Sequence, residues 1–257
     1  MNVKRISYFL VLVFVMGAGN VYAHDKGDLM LNIEPQIGVV IGNIGVKAAG
    51  IDLASIPGIS TSSVGGDFSL LTTVHYYFVD FFGLNAGLGI SSNYILYQAK
   101  ITANYAGGSA SETLNIDFAN VYFTIPIGFR FSVSAFAVGA GLTANIPIGS
   151  LSDWWATGEA TAYSGGMTTS MSVSSSREED TTYKNYAYLG WYFDIGFDLS
   201  GIKDREGGFG MLLRLSGPLS NQTAGTNLLG IDYNPYSHFA VSLVFQAGIQ
   251  LANLPIQ

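Results

Sequence analysis

The chain has no cysteine. That excludes a disulfide-stapled secreted scaffold and a lipoprotein, whose lipid is attached through cysteine. Histidine is nearly as scarce, with His24, His75 and His238 the whole supply. No His/Cys metal cluster can form from them, and no Ser-His-acid grouping surrounds any of them, so neither a metal nor a catalytic site is expected. No cofactor is implied: glycine pairs such as Gly87-x-Gly89 lie within a strand-like run with no helix after them, and are not phosphate loops. Charged residues are only 11% of the 257, where soluble domains carry about 25%. Basic residues are outnumbered 11 to 18 and do not cluster, which makes nucleic acid a poor partner. Long apolar runs are also missing. After residue 23 every apolar stretch is cut by Gly, Asn, Asp or Pro, so no later segment spans a bilayer as a helix of about 20 residues.

What is present is alternation. From Ala187 to Leu199 the apolar residues Leu189, Trp191, Phe193, Ile195 and Phe197 alternate with Tyr188, Gly190, Tyr192, Asp194, Gly196 and Asp198. From Phe239 to Leu251 seven apolar residues alternate with small or polar ones. Side chains on a strand point to opposite faces with period 2, so each run has one greasy and one polar face. Such runs exceed the usual strand of about 5–6 residues and match the roughly 9–11 residues of a transmembrane strand. An apolar fraction of 49% with 32 glycines fits a wall that meets lipid outside and has a narrow lumen within.

Eight such strands are predicted: about 30–44, 67–78, 84–103, 113–131, 135–149, 186–199, 209–216 and 238–251. The alternation changes phase near Ser92-Asn93 and again at Asn120, which suggests β-bulges. Long connections (46–66, 104–112, 150–184 and 218–236) alternate with short turns. That sorting belongs to outer-membrane barrels, with long outer loops and short periplasmic turns. A soluble lipocalin-type barrel would instead turn its large side chains inward. The fold class is therefore all-β, an eight-stranded antiparallel transmembrane β-barrel. A ten-stranded alternative arises if Trp155 to Val173 forms a hairpin around Ser164-Gly165-Gly166 within the wall.

Residues 1–23 read as a signal peptide: Lys4 and Arg5, an apolar stretch from Ile6 to Met16, and the small-x-small site Val21-Tyr22-Ala23. The barrel domain is then 24–257, with nine basic residues against 18 acidic. The expected location is the outer membrane of a double-membraned bacterium.

The segment Tyr122-Phe123-Thr124-Ile125-Pro126-Ile127-Gly128-Phe129-Arg130-Phe131, then a tight turn and Phe136-Ala137-Val138-Gly139-Ala140-Gly141, resembles the central hairpin of small eight-stranded outer-membrane barrels of the OmpA/OmpW-like superfamily. Tyr192-Phe193-Asp194-Ile195-Gly196-Phe197 and Arg214 fit the same pattern. The resemblance covers nearly the whole barrel in architecture and about thirty residues in motif. It implies insertion by the outer-membrane assembly machinery, membrane lipid as a partner, and a non-enzymatic role. These barrels usually end on an aromatic residue, whereas this chain ends Leu254-Pro255-Ile256-Gln257.

Candidate site residues follow from the inward frame: Glu34, His75, Asp117, Arg130, Asp194, Asp198, Arg214 and His238. Buried charges persist when paired, so Glu34, Asp117, Arg130, Asp194, Asp198 and Arg214 are expected to form a lumen charge network or gate. Pro126, which removes a ladder hydrogen bond, marks a bulge or a wall opening. Aromatic girdles are expected at both strand ends, including Tyr94, Tyr97, Trp154, Trp155, Tyr183 and Tyr186 on the outer side, with Trp154 and Trp155 as surface-loop contacts. Two functions fit: a narrow porin-like conduit for small molecules, polar or apolar, and a non-conducting barrel whose loops bind a host or environmental ligand.

Overall fold

The computed structural model describes residues 25–254 apart from 49–50, 53–54, 134, 165, 180–185, 200–206, 220–226 and 229–230, with backbone alone at 42–48, 51–52, 207, 227–228, 231–238 and 253. Eight long strands form the wall: β1 (Asp28–Ala48), β2 (Ile59–Val79), β3 (Phe82–Tyr105), β4 (Gly108–Val133), β5 (Phe136–Ser164), β6 (Tyr188–Asp198), β7 (Gly207–Pro218) and β8 (Ile231–Asn253). Each pairs antiparallel with the next, and β8 pairs back onto β1, as in Ile33 opposite Ala247 and Val39 opposite Val241. The ring is closed, so at the level where all eight strands pair no backbone edge faces outward. Only such a closed sheet can cross lipid with strands.

The period-2 pattern decides the two faces. Ile37, Phe68, Leu88, Ile127, Leu142 and Ile249 point outward and are at least half exposed. Leaving such side chains in water forgoes roughly 1.5–3 kcal/mol each, and a band of them all round the wall is far larger than the apolar patches of soluble proteins. A lipid environment removes that cost. At the short-turn end the chain is stitched together by backbone bonds: Gly27 N–H donates to Tyr77 O (2.6 Å), Leu254 N–H to Gly27 O (2.7 Å) and Ser132 N–H to Phe81 O (2.9 Å). Phe78, Phe82 and Phe129 pack ring on ring on the outer face there, the girdle expected at that end.

The wall is not level. β6 and β7 have 11 and 12 residues, about one membrane span. β3, β4 and β5 have 24, 26 and 29, and rise well beyond it. Most of what the sequence suggests as long loops is therefore strand. The connections at 46–66, 104–112 and 150–184 shrink because β1 runs on to Ala48 and β2 begins at Ile59. β3 and β4 meet around residues 106–107, and β5 continues to Ser164. The Trp155–Val173 hairpin does form: Met167–Ser174 turns back at Gly166, in left-handed conformation (φ 80°), and pairs with β5 from Ser164 to Thr157. Among the described residues it pairs with no other wall strand, so the ring keeps eight strands and the hairpin widens the part that projects.

The phase changes in β3 and β4 are mostly not bulges. β3 pairs with both neighbours in unbroken register past Ser92-Asn93. Odd residues face inward throughout: Asn85, Asn93, Ile95 and Tyr97 are all buried. What changes is the environment. Beyond the lipid band the outer face meets water, and Gln98 and Lys100 occupy it, while Ile95, Tyr97, Ile116 and Phe118 turn into the interior. Near Asn120 one true irregularity exists, between Val121 and Tyr122 of β4, with the extra residue, Ile148, on β5 beside Pro147. Pro126 makes no bulge. Its ladder to β3 lapses opposite Gly87-Leu88 and resumes in the same register, as expected when one N–H is missing. Pro35 does the same to the β1–β8 seam.

Candidate functional site

The lumen is filled in layers, and its turn-end half holds charge. Arg214 on β7 lies directly opposite Asp194 on β6. Its guanidinium donates twice to that carboxylate, Nε to Oδ1 at 2.7 Å and Nη2 to Oδ2 at 2.8 Å, the two-pronged geometry that makes arginine–carboxylate pairs strong. It also reaches Gln36 Oε1 (3.1 Å) and Glu34 Oε2 (3.4 Å) across the lumen. Glu34 accepts from the Thr73 hydroxyl (2.7 Å) and lies 3.4 Å from His75 Nε2. Tyr192 lies under Arg214, with the guanidinium carbon 4.7 Å from the ring centroid, and donates to Asn85 Oδ1 at 3.1 Å.

Nearer the turns, Arg130 donates from Nη2 to Asp198 Oδ2 (2.6 Å) and to Gln246 Oε1 (2.9 Å). Glycines flank it on both ladders, Gly83 on β3 and Gly139 on β5, and leave room for the long side chain. All of these groups are at least nine-tenths buried. Charges taken out of water persist only when paired and hydrogen-bonded. The network therefore plugs the axis.

Five of the six expected network residues meet here: Glu34, Arg130, Asp194, Asp198 and Arg214. Asp117 does not. It belongs to the outward frame of β4, on the outer face of the wall, because the inward frame there is Ile116, Phe118 and Asn120. His238 lies outside the described side chains, and His24 and Tyr183 outside the described residues. Asp67 and Ser242 complete the network unforeseen: Ser242 donates to Asp67 Oδ2 at 2.8 Å, and Gln36 bonds the same carboxylate. Their signal was legible, since Asp67 shares the inward frame of Ser69, Thr73 and His75.

Above the plug the lumen is polar but uncharged. Ser91 and Thr124 share a hydrogen bond (2.6 Å), Thr124 donates to Asn145 Oδ1 (2.9 Å), and Asn120 donates to Asn93 Oδ1 (3.0 Å). A cavity of about 70 Å³ lies here, reaching Arg214 and Asp67 below and Tyr188, Trp191, Ser216 and Gly217 at the upper ends of β6 and β7. Its volume and polar lining suit a few waters. Higher still, Val40, Ile95, Tyr97, Ile116, Phe118 and Ala240 form an apolar cluster inside the wall, with Trp154 packed against it. Tyr97 is thus interior, not part of a girdle.

Trp154 and Trp155 are strand residues rather than loop contacts. Trp154 faces inward, and Trp155 faces out beneath Arg177, whose guanidinium carbon lies 4.9 Å from its ring centroid. Arg177 donates from Nε to Asp153 Oδ2 (2.7 Å) and from Nη2 to Asp117, which also accepts from Tyr94 Oη at 2.6 Å. Slight desolvation opposes its charge, but the carboxylates of Asp117 and Asp153 outweigh that and raise its pKa. Asp117 is buried by this clasp while Arg177 is half exposed. Arg177→Ala should free the returning segment from β5, so that Glu-specific protease cuts at Glu178-Glu179 several-fold faster. High salt should move the wild type the same way, because exposed pairs are screened. Equal cleavage rates would mean that the clasp holds nothing.

No family model and no curated protein matches the sequence. Solved structures similar to this chain include the outer-membrane protein OprG of Pseudomonas aeruginosa, at 12% identity over 90% of this chain and 99% of that one, with TM-score 0.41. The attachment invasion locus protein Ail of Yersinia pestis, in complex with the heparin analogue sucrose octasulfate, matches at 12% identity over 88% and 100%, with TM-score 0.32. The translocator domain of the autotransporter NalP of Neisseria meningitidis matches at 10% over 96% and 95%, with TM-score 0.26. All three are of low similarity, and the fold rests on the chain's own strand pairing.

Proposed function

We propose that the chain is an integral outer-membrane barrel that serves as a narrow, bent conduit for small molecules. One observation carries this: the cavity of about 70 Å³ above the buried ion pairs reaches the side of the wall where it is lowest. Above Asn145 on β5 and Ala240 on β8 neither strand pairs with β6 or β7. Among the described residues only Met167–Ser174, Glu178–Glu179 and Asn227–Leu228 pair along those two edges. The cavity lies just below that step. A solute in the cavity would pass sideways between β5 and β8, beneath the apolar cluster, and not along the axis. The wall opening that the sequence offers at Pro126, as the alternative to a bulge, lies in this reading at the tops of β6 and β7, where the strands are short.

In the same reading residues 1–23 are a leader, the turn end faces the periplasm, assembly machinery inserts the barrel, and the protein catalyses nothing. The sealing of His75 between Glu34 and Thr73 supports the last point. A second reading, a surface barrel that binds a ligand with its projecting strands, is favoured by the exposed Tyr163, Met167, Met171 and Val173.

The test is uptake by liposomes carrying the mature chain against empty ones, using small polar and apolar solutes. The conduit predicts uptake that falls when a bulky side chain is placed at the step, as in Ser216→Trp. No uptake by a correctly folded barrel overturns the conduit and leaves the surface reading.

A further inference from the structure

The lumen-side face of the sheet continues upward above the apolar cluster, onto the projecting parts of β3, β4 and β5 and the Met167–Ser174 strand. Two rows cross these four strands. In the lower, Ile101 lies opposite Glu112, Glu112 opposite Gly158 and Gly158 opposite Val173. In the upper, Ala103, Ala110, Ala160 and Met171 follow one another in the same way. They line a groove of about 550 Å³, within the range of small-molecule sites. Ala and Gly leave the space: a Cβ built on Gly158 would meet nothing closer than 4.0 Å.

We infer that this groove binds a small organic cation with an apolar body, its ammonium held by Glu112. Besides Ser111, Ser175 and Glu159 the lining is apolar except for that carboxylate, which has no hydrogen bond or ion pair among the described residues. The charged residues bordering the groove, Glu112 and Glu159, are both acidic. Lys100, the nearest cation along β3, belongs to the opposite frame, paired with Thr113. An apolar anion would meet uncompensated negative charge, and a neutral apolar molecule would gain nothing from the exposed carboxylate. The site lies above the wall, so binding there does not depend on whether the lumen conducts.

The experiment is calorimetric titration of the folded full barrel, in a fixed amphipol, with 2-phenylethylamine, 2-phenylethanol and 3-phenylpropionate. The amine should bind about three- to five-fold tighter than the alcohol, the size of an exposed ion pair, and the anion weakest. Glu112→Gln should bring amine and alcohol to parity, and Ala160→Phe should abolish binding of both by filling the groove. Both variants lie beyond the closed ring, and the gel shift of the folded barrel checks each. Equal binding of amine and alcohol to the wild type, an unchanged ratio in Glu112→Gln, or undiminished binding in Ala160→Phe would each overturn the proposal. The uptake measurement is unaffected by any of these results.

Discussion

Arg214→Ala should cost the barrel about 3–5 kcal/mol in a urea titration followed by intrinsic fluorescence, the usual loss when one partner of a buried ion pair is removed. The cost arises from what remains. Asp194 keeps its place opposite the vacated position, and Glu34 loses the cation 3.4 Å away. Both carboxylates are then buried without their guanidinium, Glu34 keeping only the Thr73 hydroxyl and His75, and Tyr192 loses the guanidinium stacked on its ring. Replacing the three together, as Arg214→Met with Asp194→Leu and Glu34→Met, should recover most of the loss, because an apolar set of similar volume avoids the desolvation penalty. The single variant should also raise solute uptake, since a long side chain that crosses the axis is gone. A loss below about 1 kcal/mol, with uptake unchanged, would mean that these charges are hydrated and do not plug the lumen.

Gly141→Val should prevent folding, with no heat-modifiable band on a gel. Gly141 on β5 lies opposite Gly128 on β4, both inward, and the Tyr192 ring lies over the pair. A Cβ on residue 141 would be 2.6 Å from Tyr192 Cε1 and closer still to the carbonyl of Ile127. Overpacking commonly costs about 1–3 kcal/mol where side chains can yield, but a backbone carbonyl in a closed ladder has nowhere to go. Gly139→Ala is the control. Its Cβ would meet nothing nearer than the Phe129 carbonyl at 3.3 Å, so this variant should fold. If Gly141→Val folds with wild-type stability, Tyr192 is not held against that wall.

The sequence alone determined the order of the wall strands and which side chains face in over the membrane level; that the hairpin at 155–173 adds none to the eight came from the pairing. Strict alternation leaves no choice at that level: one residue of slip would put Arg214, Asp194 and Arg130 into lipid. It also determined that those charges would be shared inside. Tertiary structure decided the rest. The ends of the strands could not be read, because above the membrane both faces lose their contrast; Ala, Ser and Thr alternate with one another in residues 156–174. The apparent slips at Ser92-Asn93 and Asn120 had the same origin. A change of phase in sequence means a bulge only if the surroundings stay constant, and here lipid gives way to water while the register holds. Asp117 was assigned to the lumen by extending the membrane rule past that boundary, where a carboxylate belongs on the water side. The clasp that covers it, the step in the wall above β6 and β7 and the groove under Met171 all join residues far apart in the chain. Only the closed ring, with strands of unequal height, brings them together.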